Sequence, residues 1–245
     1  MPVRSRGMSP LREALRAAEP RPANGSQSQK KNYAERLSRA IATVIASALR
    51  KPFPGITPDA DGKRQEAPAR TSKGLKKLDV NYSTAELGLG LGVSIKTINF
   101  PDKGTARFSK NFTRADNELR AEAKDYHERQ PYSVLVAVVF LPMEACLDGK
   151  TGPSSFGQSV RIFRHRANRK NPKNEQELFE RVFVALYEHD GDRCGEAIFF
   201  DVMQKPPKHG PPKGQTAIDF QQFVREVVKT YDQRNKPNFE WADED

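Results

Sequence analysis

Cysteine is nearly absent: Cys146 and Cys194 are the whole complement of a 245-residue chain. Two thiols cannot build a disulfide scaffold or a four-ligand zinc module, and they suit a reducing compartment. Long apolar runs are missing too. The longest, residues 134–141, is far below the ~20 residues a membrane helix needs. The first thirty residues carry charges and prolines where a secretory leader needs an apolar core. These absences predict a cytoplasmic protein with no membrane partner. The phosphate-loop spacing is lacking as well: GKTG at 149–152 does not fit GxxxxGK[ST], which argues against nucleotide binding. The single tryptophan, Trp241, is expected to pack on the body rather than read a base.

What the chain has in excess is positive charge. Its 41 Lys and Arg against 31 Asp and Glu leave +10, a balance that favours a polyanion such as nucleic acid. Only 36% of residues are hydrophobic, while Pro and Gly number 18 and 16. That composition predicts one compact domain with polar extensions, taken as a flexible basic arm at 1–30, a domain at 31–237 whose strand–helix–strand order suggests a mixed α/β sheet, and an acidic tail at 238–245.

Within the domain, Tyr33, Leu37, Ile41, Val44, Ile45 and Leu49 recur at helical spacing behind a possible Asn32 cap. Residues 51–72 read as a polar connector, with Pro58-Asp59 as a turn. A helix is predicted at 112–129, with Ala115, Leu119, Ala123 and Tyr126 inward and His127 exposed or capping. The run at 134–141 lacks alternation and predicts a strand covered on both faces. Leu178, Phe179, Val182, Phe183 and Leu186 predict a helix at 175–188, His189 to Glu196 a turn, 197–202 a strand and 218–231 a last helix. Basic side chains cluster between these elements. Arg161, Arg164, Arg166, Arg169, Lys170 and Lys173 lie in one excursion, and Lys205, Lys208 and Lys213 in a proline-rich loop; all nine are candidate DNA phosphate contacts.

Residues 77–99, KLDVNYSTAELGLGLGVSIKTIN, read as two strands folded back on each other. A hairpin centred between Glu86 and Leu87 sets Asp79 opposite Ser94. Opposed residues, and residues two apart along a strand, share a face, so Asp79, Ser94 and Lys96 project together.

An aspartate in Leu78-Asp79-Val80 followed by Ser94-Ile95-Lys96 on the next strand resembles the PD-(D/E)xK nuclease superfamily, which includes most type II restriction endonucleases. The resemblance covers roughly residues 32–202. It implies a restriction-endonuclease-like mixed β-sheet flanked by helices, a Mg²⁺-dependent endonuclease of double-stranded DNA, Asp79 as metal ligand, Lys96 as the group that orients water, and a homodimer. Ser94 departs from the motif, which has an acid there. Glu86, about seven residues and roughly 23 Å along the strand from Asp79, does not reach. Some members with serine at this position draw the acid from the following helix, where Glu118 and Glu122 are four apart on one face. A helix doubling back from Phe112 needs roughly nine residues to draw level with Lys96, which favours Glu122 over Glu118 as second metal ligand. The competing expectations are an inactive DNA-binding or accessory protein on the same fold and an RNA-processing or RNA-binding protein.

Overall fold

The computed structural model describes residues 10–61, 64, 68–86, 88–149 and 152–235. Trp241, the acidic tail and residues 1–9 lie outside them. Five strands form one mixed sheet in the order β3 (Val80–Thr84), β4 (Gly88–Thr97), β5 (Val134–Pro142), β6 (Arg181–Tyr187) and β7 (Ala197–Asp201). The outer pairs are antiparallel, whereas β4, β5 and β6 run parallel. A separate hairpin, β1 (Pro68–Thr71) with β2 (Gly74–Lys77), precedes the sheet.

Strand β5 shows why the sheet is central. Val134, Val136, Val138 and Phe140 enter one core, while Leu135, Ala137, Val139 and Leu141 enter the other. Helices α1 (Pro10–Ala17), α2 (Gln27–Leu49) and α5 (Phe220–Arg234) cover the first face. Helices α3 (Phe112–Arg129) and α4 (Ser155–Phe163) cover the second. A strand with both faces covered needs no polar alternation, as the sequence of β5 shows. Among the described residues no helix is long and apolar enough to cross a membrane.

Several elements depart from the sequence expectation, the β1–β2 hairpin at the end of the expected connector among them. The segment from Pro10 is not a free arm: Leu11, Ala14, Leu15 and Ala18 are buried at i, i+3, i+4 and i+7, and a stripe that small suffices because it lies against α2. Helix α2 starts earlier, at a capping box in which Ser26 and Gln29 exchange side-chain and backbone bonds. The helix expected at 175–188 is instead strand β6, buried at nearly every position. Its apolar residues matched helical spacing only because a strand covered on both faces is apolar throughout. Helix α4 rises inside the basic excursion, capped by Ser154 and anchored by Phe156, Val160 and Phe163.

Charge is buried where the inner strands β5 and β6 begin. Arg169 is 2% exposed and donates to Glu180, Pro131 O and Pro172 O, while Arg234 donates to the same Glu180. Glu180 also accepts the Leu135 N–H at 2.7 Å, so it is paired from three sides. His127, expected near the surface, is fully buried between Gln176 O and Ser133 O. Burial, reinforced by the Arg169 charge, pushes its pKa down to about 3, so it is neutral at pH 7. Removing Arg169 takes a charge-assisted bond from Glu180 and leaves it with Arg234 and the Leu135 N–H: Arg169→Ala is expected to cost about 1.5–3 kcal/mol in urea unfolding. An unchanged unfolding midpoint would contradict this structural role.

Candidate functional site

The site begins with a register. Val80 pairs with Val93, which places Asp79 one step further on, beside Ser94. Nearer the turn the pairs are Ser83–Leu89 and Thr84–Gly88, which centre the turn on Glu86 itself. The two registers are joined by a bulge in which Gly90 is the extra residue of β4. Without it Asp79 would face Val93, and the acid would stand across the sheet from Ser94 and Lys96. Glycine suits this point because a Cβ there would come 3.1 Å from the Tyr82 ring.

The Asp79 carboxylate accepts the Ile95 N–H at 2.6 Å, fixing it against β4. Val93 and Ile95 point into the α2 core, so Ser94 and Lys96 point towards α3. Glu122 meets them there. One of its carboxylate oxygens accepts the Ser94 hydroxyl at 2.7 Å, and the other accepts the Lys96 ammonium at 2.5 Å. Glu118, one turn earlier, lies 3.7 Å from Lys96 and is held by Arg114 at 2.8 Å. Of the two candidates, Glu122 therefore occupies the place beside the motif and Glu118 its rim. Glu86 sits exposed in the turn.

The helix is fixed from its other end by the first hairpin. Asp125, 1% exposed, pairs with Lys76 and with Lys73 at 2.8 Å, and its backbone carbonyl accepts the Ser72 N–H. This hairpin came from the presumed connector, and it clamps α3 one residue-turn beyond Glu122. Lys96 feels opposing influences: burial would push its pKa down, but the Glu122, Asp79 and Glu118 carboxylates outweigh it and hold the value above 10.5. The ammonium is charged at neutral pH. Its stabilising contribution is whole below pH 10.5 and is lost as the pH rises through the folded value.

Compared with models of known families, with curated proteins and with solved structures, the chain matches none.

The nine basic candidates separate into three groups. Arg169 belongs to the buried ion cluster and is unavailable to any surface ligand. Arg166 is committed to a two-pronged pair with Asp116 of α3, at 2.8 and 3.0 Å. Arg164 donates to Val202 O and Gln204 O, which ties the proline-rich loop to α4. Arg161, Lys205 and Lys208 are different. They line an open cleft of about 400 Å³ between α4 and that loop, and no hydrogen bond or ion pair engages their side chains among the described residues. Lys170, Lys173 and Lys213 are exposed outside the cleft. Arg120, a further possible phosphate contact, pairs instead with Glu177.

One neighbour of the carboxylates was legible only as a core residue. Tyr126 follows Glu122 by one helical turn, a spacing that sets both on one face.

If Ser94 aims Glu122, removing its hydroxyl has a measurable cost. Ser94→Ala is expected to lose about 1–2 kcal/mol in denaturant unfolding. Ser28→Ala, on the exposed face of α2, serves as the control and should change little. Equal stability of Ser94→Ala and wild type would show that the bond does not hold the glutamate.

Proposed function

We propose that the protein is a cytoplasmic, Mg²⁺-dependent endonuclease of double-stranded DNA with a restriction-endonuclease-like fold. One observation carries the reading: Glu122 of α3 meets Ser94 and Lys96 beside Asp79, so the acid missing from the strand motif is replaced from the helix. The donor chemistry fits the cation. Mg²⁺ takes hard oxygen ligands and commonly uses only one or two carboxylates, completing its shell with water and substrate phosphate. Asp79 and Glu122 bring two carboxylates to the same three-residue stretch of β4. No cluster of three or more acidic, His or Cys ligands occurs among the described residues.

Hydrolysis of a phosphodiester adds negative charge to a group already anionic, and Mg²⁺ bound to Asp79 and Glu122 would supply polarisation of that phosphate. The remaining work belongs to the chain. Lys96, charged and largely withdrawn from solvent, stabilises the developing charge and orients the attacking water. Ser94 keeps Glu122 pointed at the site. Arg161, Lys205 and Lys208 take phosphates of the duplex, a role that needs cations not already paired within the protein. Cutting both strands of a symmetric site suits a homodimer, by analogy with restriction enzymes.

Purified protein with Mg²⁺ should cleave mixed-sequence duplex DNA in preference to RNA. Asp79→Ala, Lys96→Ala and Glu122→Gln should each lower the rate by about 10²- to 10³-fold or more, while Glu118→Gln and Glu86→Gln leave most of it. Undiminished cleavage in Asp79→Ala and Lys96→Ala sinks the assignment; DNA binding without cleavage by wild type would instead favour the accessory-protein reading.

The cleft has its own signature. Alanine at Arg161, Lys205 or Lys208 should each reduce the slope of log affinity against log salt by about 0.9. Slopes unchanged in all three would place the duplex elsewhere.

A further inference from the structure

Buried polar atoms in folded proteins are nearly always hydrogen-bonded, so an orphan needs an explanation. Tyr126 presents one. Its side chain is 1% exposed and belongs to the core between α3 and the sheet, yet its hydroxyl has no hydrogen-bond partner among the described residues. Phenylalanine would fill the same space without leaving a dry hydroxyl. The position is informative: Tyr126 lies one turn after Glu122 on the same face of α3. Burial raises the phenol's pKa, and the charges of Glu122, Asp79 and Asp125 raise it further, so the group is a protonated donor within electrostatic reach of both candidate ligands.

We propose that the Tyr126 hydroxyl is a third group of the Asp79–Glu122 site, donating a hydrogen bond to an oxygen of the ligand that site takes, a hydrated divalent cation. The inference rests on the reading of Asp79 and Glu122 as cation ligands. Tyr126 acts through the oxygen it holds and is a positioning residue. It explains why a hydroxyl is present where the described residues offer it no acceptor: the acceptor arrives with the ligand.

The test uses the full chain and Mg²⁺ alone. Wild type and Tyr126→Phe are titrated with Mg²⁺ by calorimetry, and both are melted in EDTA. The dissociation constant should rise by about 2- to 12-fold in the variant, the fold-change that one hydrogen bond represents. In EDTA the variant should melt at the same temperature or higher, because no protein partner is lost. Equal Mg²⁺ affinity, or a lower melting temperature in EDTA, overturns the role of Tyr126 while leaving a Mg²⁺-binding wild type, and hence the Asp79–Glu122 site, in place. A wild type that binds no Mg²⁺ overturns both.

Discussion

Helix α3 is joined to strand β4 by a carboxylate that touches two side chains at once. Glu122 accepts from Ser94 on one oxygen and from Lys96 on the other. Around that contact the surrounding structure takes its sense. The hairpin bulge at Gly90 brings Asp79 to the same face, and the β1–β2 hairpin grips Asp125 to hold the helix along its length. A charged lysine that is mostly withdrawn from water is tolerable because three carboxylates surround it. Between them the strand supplies the donors, Ser94 and Lys96, and the helix supplies the carboxylate.

Much of this arrangement could be read from the residues, for identifiable reasons. Helix α3 and strand β5 were legible because one has strong helical periodicity with Pro131 after it, and the other is an unbroken β-branched run. The facing of Asp79 and Ser94 was also legible, but by a compensation. The turn centres on Glu86, half a step from where simple folding-back puts it, and the extra residue at Gly90 restores the register. Bulges leave little trace in sequence beyond a glycine, and β4 has three of them, Gly88, Gly90 and Gly92. That Glu122 rather than Glu118 draws level with Lys96 follows from the rise per residue of a helix and a strand.

What was not legible depended on tertiary cover. Strand β6 carries helix-like spacing because both its faces are apolar, and only its neighbours β5 and β7 reveal it as a strand. The stripe on α1 is three residues, Leu11, Ala14 and Leu15, and becomes a core element only against α2. The basic excursion misled in a similar way. Arg164, Arg166 and Arg169 look like their neighbours in sequence, but fold-internal acceptors claim all three, whereas Arg161, Lys205 and Lys208 line the cleft without a side-chain partner among the described residues. A charge run states how much positive charge is present; partners decide which part of it faces a ligand.

The central claim is that the glutamate of the helix and the aspartate of the hairpin together form a cation site. Anomalous diffraction from crystals of the protein soaked in Mn²⁺ tests it most directly. The account predicts a Mn²⁺ peak bonded to carboxylate oxygens of both Asp79 and Glu122. A soaked crystal with no peak there, or with Mn²⁺ bound by other residues instead, would contradict it.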